Sequence, residues 1–195
     1  MFNSKSSSEM THVALNSRQS SLVFRALLQS LASPGETFSL PAELCSAVPA
    51  RALPLLALVD IETTFCAPED ADLELSVASL TGSRVVAPEL AQFALCATPP
   101  SHTFVSRLQR GNASQPERGC KLIIGLHPDV AVASVTLSGP GVRPGTTIAA
   151  DSQLSSFIAA RNTVVAEPPS GIDCWFVSPD GRLVGLPRTT RAETR

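Results

Sequence analysis

The chain has 195 residues, of which 44% are hydrophobic and 16% charged, and its net charge is −2. This length allows one domain with a sizeable core, and the composition excludes a disordered chain, which would contain fewer apolar residues and more net charge. Its two lysines and thirteen arginines form no basic stripe, which argues against nucleic-acid binding. Because no apolar run has the length of a membrane span and the polar start lacks a signal-peptide core, we expect a soluble, cytoplasmic protein without a membrane partner.

The first part of the chain predicts a flexible tail followed by helices. We expect residues 1–17 to form the tail and residues 18–195 to form a single domain. Ser20 and Ser21 can cap a helix whose apolar residues recur at helical spacing, and Ser33-Pro34-Gly35 would end it. A second helix is predicted over Pro54–Asp60, since proline is well tolerated in a first helical turn.

The middle of the chain predicts mainly strands. Short apolar runs bounded by turn residues favour strands over Leu73–Val77 and Phe93–Ala97, and Ser101 can then cap a short helix. Two further β-rich runs, Lys121–Leu126 and Val130–Leu137, are separated by a turn signal that contains His127 and Pro128.

The last part of the chain predicts a helix and a hairpin. Asp151 can cap a helix that carries Leu154, Phe157 and Ile158 on one face. Two strands, Cys174–Val177 and Arg182–Leu186, then flank a Ser-Pro-Asp-Gly turn, which is typical of a β-hairpin. Helices that alternate with strands in this way indicate an α/β fold with a mixed β-sheet sandwiched by helices.

Metal, disulfide and catalytic motifs are not found in the sequence. The five cysteines lie 21 or more positions apart and sit among apolar neighbours, so we interpret them as core-filling thiols. Three scattered histidines match no metal-binding or hydrolase pattern, and no catalytic residue can be assigned.

The segment Leu186–Arg191 is the strongest candidate site. Pro187 ends the hairpin strand, and Arg188, Thr189, Thr190 and Arg191 then present two guanidinium groups and two hydroxyls, which suit a phosphate or carboxylate anion or a partner surface. Since loops and termini carry few packing contacts, we do not expect this segment to be fully buried, and we expect it to act in assembly or anion contact rather than in the core. The alternative is that Arg188 pairs with a carboxylate of the fold and that the hydroxyls bind loop backbone.

A glycine-rich loop is the second candidate. Gly139 and Gly141 follow a predicted strand, as the glycines of a phosphate-binding loop would, but the loop lacks the lysine of a P-loop and Pro140 removes one N–H donor. An ordinary turn after the strand is the alternative interpretation.

Several motifs, in order, resemble the family of the H subunit of the bacterial carbon–phosphorus lyase system (PhnH family). The resemblance spans roughly residues 20–191 and is carried by these motifs: Phe24-Arg25, Ser33-Pro34-Gly35, Leu55–Thr63, Pro116-Glu117 with Gly119, Leu137–Gly141, Gly171-Ile172-Asp173 and Leu186–Thr190. It adds Asp173 to the candidate ligand or partner residues. At Cys120-Lys121, where the family usually has Ala-Thr, the chain departs from the pattern.

The resemblance implies a fold, partners and a pathway. The fold would be similar to that of pyridoxal-phosphate-dependent transferases without the cofactor, and the isolated chain would be a homodimer. It would join the G, I and J subunits in a transferase and lyase complex that makes ribose 1-methylphosphonate 5-triphosphate and cleaves the C–P bond, with the iron–sulfur chemistry in the J subunit. We expect no cofactor here, because Lys5 lies in the polar tail and Lys121 stands where the family has no lysine.

Whether this chain is itself an enzyme stays open at this point. The resemblance implies a subunit that acts in assembly or substrate handling in phosphonate catabolism. The alternative is a self-contained enzyme that binds a phosphorylated ligand at the Gly139 loop and Arg188.

Overall fold

The structure is a computed structural model, and it describes residues 13–127, 133–165 and 169–194. These residues form two β-sheets and six α-helices, with short 3-10 turns between them. The helices are α1 (Ser17–Ala32), α2 (Ala42–Ala47), α3 (Leu53–Leu58), α4 (Ala71–Thr81), α5 (His102–Arg107) and α6 (Ser152–Val164). The strands are β1 (Thr37–Ser39), β2 (Thr64–Cys66), β3 (Arg84–Val85), β4 (Phe93–Cys96), β5 (Lys121–Gly125), β6 (Ala133–Ser138), β7 (Thr147–Ala150), β8 (Asp173–Val177), β9 (Arg182–Leu186) and β10 (Arg191–Thr194).

The larger sheet has seven strands in the order β1-β9-β8-β5-β4-β2-β3. Strands β8, β5, β4, β2 and β3 are parallel to one another. On one side of this group, β9 pairs antiparallel with β8, and β1 pairs antiparallel with β9. The sheet is therefore mixed, and the predicted α/β class is confirmed. Its parallel part has two distinct ends, an amino edge where the strands begin and a carboxyl edge where they finish.

Both faces of this sheet are covered, which explains why its central strands are apolar throughout. Alternate residues of a strand point to opposite faces, so Ile123 and Trp175 join a core beneath α1, α3 and α4. Leu122 and Phe176 face the other way, into a second core beneath α5 and α6. Phe176 meets the ring of Phe157 edge to face, with ring centroids 6.0 Å apart.

The smaller sheet, in the order β10-β6-β7, lies over the second core. Its strands are antiparallel, and β10 pairs with β6 so that Arg191 lies opposite Ser138 and Thr194 opposite Val135. Helix α6 packs against β10. The last described strand is thus built into the fold rather than extending from it.

Two local predictions were wrong. Helix α1 begins at Ser17, because the Asn16 side chain caps it and Gln19 returns the capping bond, so Ser20 and Ser21 lie inside the helix. Residues Leu73–Val77 form part of helix α4 rather than a strand, since Asp70 caps its start and Gly82, at φ 71°, ends it.

Other predictions are confirmed within the described residues. Ser101 and Asp151 cap α5 and α6, and β8 and β9 form the predicted hairpin. The predicted second helix is α3, which begins one residue and ends two residues earlier than expected. The strand expected over residues 130–137 is described from Ala133, and positions 128–132, which include part of the predicted turn and the start of this strand, lie outside the described residues. None of the helices in the described ranges is long and apolar enough to cross a membrane.

Candidate functional site

The Leu186–Arg191 segment is a turn fixed at the amino edge of the parallel strands. Asp173, the first residue of β8, accepts hydrogen bonds from both the side chain and the backbone of Arg188. The Arg188 guanidinium donates to both carboxylate oxygens, with Nη2 to Oδ2 at 2.5 Å and Nε to Oδ1 at 3.1 Å. The Arg188 backbone N–H donates to Oδ1 at 2.8 Å. Since the two side chains are only 14% and 13% exposed, Arg188 pairs with a fold carboxylate, as the alternative interpretation held.

A second arginine, Arg161 of α6, holds the same turn from inside the protein. Its side chain is fully buried, and its two terminal nitrogens donate to the backbone carbonyls of Pro187, at 2.6 Å, and Thr190, at 3.0 Å. Its Nε has no hydrogen-bond partner among the described residues. The described hydrogen bonds of Arg161 include no carboxylate, so the buried guanidinium is solvated by two backbone carbonyls, with the Cys174 thiol as a further neighbour.

The segment is buried at some positions and exposed at others. Thr190 is 1% exposed and Leu186 is fully buried, because the chain continues into β10 instead of ending in a loop. Thr189 and Arg191 are exposed. Among the described residues the Thr190 hydroxyl has no hydrogen-bond partner, so it does not bind loop backbone there as the alternative interpretation proposed.

The glycine-rich loop packs against this turn. Gly139 has φ of 129°, and a Cβ atom there would lie 2.8 Å from the carbonyl oxygen of Thr189. A Cβ atom on Gly141 would lie 2.8 Å from the carbonyl oxygen of Ala32, at the end of α1. Glycine therefore allows close backbone packing at both positions. The two glycines face backbone atoms of Thr189 and Ala32. The structure thus brings together Gly139, Asp173 and the turn, although Asp173 and Gly139 contact different parts of it.

Electrostatics at the amino edge are dominated by positive groups. Lys121 begins β5 in register with Asp173, and its ammonium donates to the backbone carbonyl of Glu117 at 2.5 Å. Burial lowers the pKa of Lys121, and the charge of neighbouring Arg188 lowers it further. Burial raises the pKa of the Cys174 thiol to about 11, although the nearby Arg161 guanidinium acts in the opposite direction.

A groove of about 300 Å³ opens beside the turn, between the end of α6 and β10, and we call it the Thr190 groove. It is lined by Asn162, Val165, Arg188, Thr189, Thr190, Arg191, Ala192 and Glu193. The Asn162 amide donates to the carbonyl of Ala192 at 2.6 Å and fixes one wall. The Thr190 groove is therefore the place where the predicted cationic and hydroxyl groups face open space.

The carboxyl edge of the parallel strands is closed by the chain's own carboxylates. The backbone N–H of Ala67, after β2, donates to Glu74, and that of Ala97, after β4, donates to Glu69. Asp70 caps α4 and also binds the Arg51 guanidinium at 2.9 Å. Because an anionic ligand at this edge would use the same backbone donors, these carboxylates occupy the positions that it would need.

Other potential sites offer less defined chemistry. A cleft of about 530 Å³ between the two sheets has apolar walls that include Phe176 and Val184, with His127 and Arg182 at its rim. Arg182 is already bound to Asp180. Within the described ranges, no group of three or more His, Cys, Asp or Glu residues could hold a metal ion. All five cysteines are free, and four are buried in the second core, as expected of core-filling thiols.

Sequence reasoning missed Arg161, although a signal was present. Leu154, Phe157 and Ile158 define the buried face of α6, and position 161 continues the same spacing. An arginine at such a position predicts a buried guanidinium that needs partners. No sequence signal identifies the two backbone carbonyls, because they belong to a turn 26 and 29 residues further along the chain.

The fold and the turn define an α/β protein whose C-terminal motif is tied to the amino edge of a mixed sheet. The family model described as Bacterial phosphonate metabolism protein (PhnH) matches residues 12–193. This match covers nearly the whole chain, so the chain belongs to that family and takes part in phosphonate metabolism. A search of curated proteins found no significant match.

Proposed function

We propose that this chain is a subunit of the carbon–phosphorus lyase core complex, where it acts in assembly or substrate handling with the G, I and J subunits. Membership of the phosphonate-metabolism family supports the pathway. The motif residues Arg188 and Asp173 bind each other and stabilise the fold. We therefore infer that exposed side chains elsewhere on the surface contact the partners.

The observation that carries this proposal is a row of exposed apolar side chains on α1. Phe24 is 50% exposed and Leu28 is 57% exposed, and these residues lie one turn apart on the same side of the helix. Leu22 is also exposed. Large apolar side chains grouped on one helix face are typical of a protein–protein contact.

A second group of exposed apolar residues lies around β3, the last strand of the larger sheet. Its members are Ile61, Leu75, Val85 and Leu90. A strand at the end of a sheet also presents unpaired backbone groups. Two separate apolar surfaces favour a subunit with more than one neighbour, and they also support our proposal that the isolated chain forms a homodimer.

The proposal includes a fold relationship and a location. A seven-stranded mixed sheet with helices on both faces supports a fold like that of the pyridoxal-phosphate-dependent transferases, here without the cofactor. We place the protein in the cytoplasm with the rest of the assembly, as a component of its transferase and lyase reactions.

Co-purification with the proposed partners tests the assembly role. A tagged chain is co-expressed with the G, I and J subunits, and we expect it to retain all three. The double variant Phe24→Asp, Leu28→Asp should lose capture at unchanged helical content, because it places two charges in the proposed contact. The control Arg18→Asp, Gln29→Asp places two carboxylates at exposed positions on another side of the same helix and should retain capture. Absence of capture by the unmodified chain would refute the assembly role.

A further inference from the structure

We propose that the Thr190 groove binds a small tetrahedral oxyanion through Arg191, Thr189 and Thr190, above the buried guanidinium of Arg161. This site differs from the one expected at the Gly139 loop and Arg188, and it does not depend on the assembly role.

Arg161 carries a buried positive charge. Its guanidinium is removed from water, and its described neighbours are the carbonyls of Pro187 and Thr190 and the thiol of Cys174, none of them a carboxylate. A positive charge that no carboxylate balances acts strongly through the low-dielectric interior. Thr190 both accepts from Arg161 and lines the groove, so the field of this charge reaches an anion bound there.

Donors at the groove are unused by the described residues. Thr190 is one of the lining residues, and its buried hydroxyl has no hydrogen-bond partner among the described residues. Buried polar groups without partners are rare in folded proteins, and a ligand or an ordered water normally satisfies them. Arg191 is exposed at the mouth, and its backbone position is fixed by the pairing of β10 with β6. Arg191 makes no ion pair among the described residues, so its planar fork is available to an oxyanion.

Two features oppose an anion and must be outweighed. Glu193 lines the groove, and the carbonyl end of α6 lies at its wall. Arg188 adds little, because Asp173 already neutralises it. Glu193 is the one carboxylate of the groove lining, while Arg191 lines the groove and Arg161 lies buried behind Thr190, so the local charge stays positive. The volume, about 300 Å³, is at the lower end of small-molecule pockets and suits a single oxyanion with a small substituent.

Titration of the full chain tests this site. Inorganic phosphate and methylphosphonate are added in separate arms at constant ionic strength, with chloride as reference, and binding is followed by calorimetry and by the melting temperature. We expect saturable binding of at least one anion, and the tighter of the two identifies whether the source is phosphate or a phosphonate. Arg191→Gln should weaken that binding by about tenfold or more, which corresponds to about 1.4 kcal/mol.

Two further variants separate a loss of anion binding from a loss of folding. Thr190→Val should weaken binding while leaving the melting temperature of the free protein nearly unchanged, because the lost hydroxyl has no protein partner. Arg84→Gln removes an exposed arginine of β3, outside the groove lining, and should bind like the unmodified chain. The proposal is overturned if neither anion binds beyond the chloride reference, or if Arg191→Gln binds as tightly as the unmodified chain. Arg191→Gln should leave partner capture unchanged, so failure here is distinct from failure of the assembly role.

Discussion

The two ends of the parallel strands use charged residues in different ways. At the amino edge, Arg161 binds the Leu186–Arg191 turn, Arg188 within the turn binds Asp173, and both arginine side chains are largely or fully buried. At the carboxyl edge, Glu69 and Glu74 accept from backbone N–H groups that the strands leave free, and Glu69 is exposed.

A sequence motif can identify a family because its residues stabilise the fold, and not because they bind a ligand. Ligands of open α/β sheets normally bind at the carboxyl edge. Here that edge is closed by the chain's own carboxylates, and the motif lies at the opposite edge, where Arg188 and Asp173 bind each other. We therefore expect substitutions at the amino edge to cost far more stability than those at the carboxyl edge.

The largest effect is expected for Arg161→Met. Methionine fills part of the volume but removes the guanidinium bonds to the carbonyls of Thr190 and Pro187, and Pro187 keeps only the N–H of Thr190 as a donor. A hydrogen bond to a charged group contributes about 1.5–3 kcal/mol, so the free energy of unfolding should fall by about 3 kcal/mol. Urea unfolding measures this, with Arg25→Met on the exposed side of α1 as a near-neutral control. Equal stability of the two variants would show that Arg161 does not hold the turn.

Arg188→Ala should have the next largest effect. It leaves the Asp173 carboxylate nearly buried without its guanidinium partner, and we expect a loss of about 2–3 kcal/mol. The sequence alone suggested a loss of about 1 kcal/mol or less, as for a surface residue. Thermal unfolding of the purified variant distinguishes these values. A loss of about 1 kcal/mol or less would show that Arg188 contributes no more than an ordinary surface residue.

Gly139→Ala should cost about 2 kcal/mol, because φ of 129° strains any other residue and the new methyl group would meet the Thr189 carbonyl. Gly145→Ala is the matched control, since Gly145 also has positive φ, 79°, but open space around its Cβ position. The difference between the two losses in chemical unfolding isolates the packing of the loop on the turn. Equal losses would mean that only backbone strain is present.

The smallest effect is expected at the carboxyl edge, for Glu69→Ala. This substitution removes the acceptor of the Ala97 N–H, which water can replace because the bond is exposed. The free energy of unfolding should therefore fall by at most about 1 kcal/mol. Glu69→Gln keeps an acceptor and serves as the control in the same unfolding measurement. A loss as large as that of Arg188→Ala would remove the contrast between the two edges.

Local features of this fold were predictable from the sequence, and long-range pairings were not. The caps at Ser101 and Asp151 and the hairpin turn are short-range signals, so they were predicted correctly. Residues 73–77 alternate too little to separate a short strand from a buried helix, and the decisive caps lie outside that window. Strand β10 was missed because only its pairing with β6 makes it a strand.

The candidate site was predicted in composition but not in arrangement. The sequence indicated that Arg188, Thr190 and Arg191 belong together, and the structure places all three on one groove. Which arginine is free depends on Asp173 and Arg161, and these residues precede their partners in the turn by 15 or more positions. Such separations are set by the packing of the whole domain, which no local pattern encodes.

The most direct test of the structural role of the motif is a double-mutant cycle on Arg188 and Asp173. The free energy of unfolding is measured for the unmodified chain, Arg188→Met, Asp173→Asn and the double variant. Because the pair is nearly buried and bonded through several atoms, the account predicts a coupling energy of about 2 kcal/mol. A coupling energy near zero, with each single variant close to the unmodified chain in stability, would contradict it.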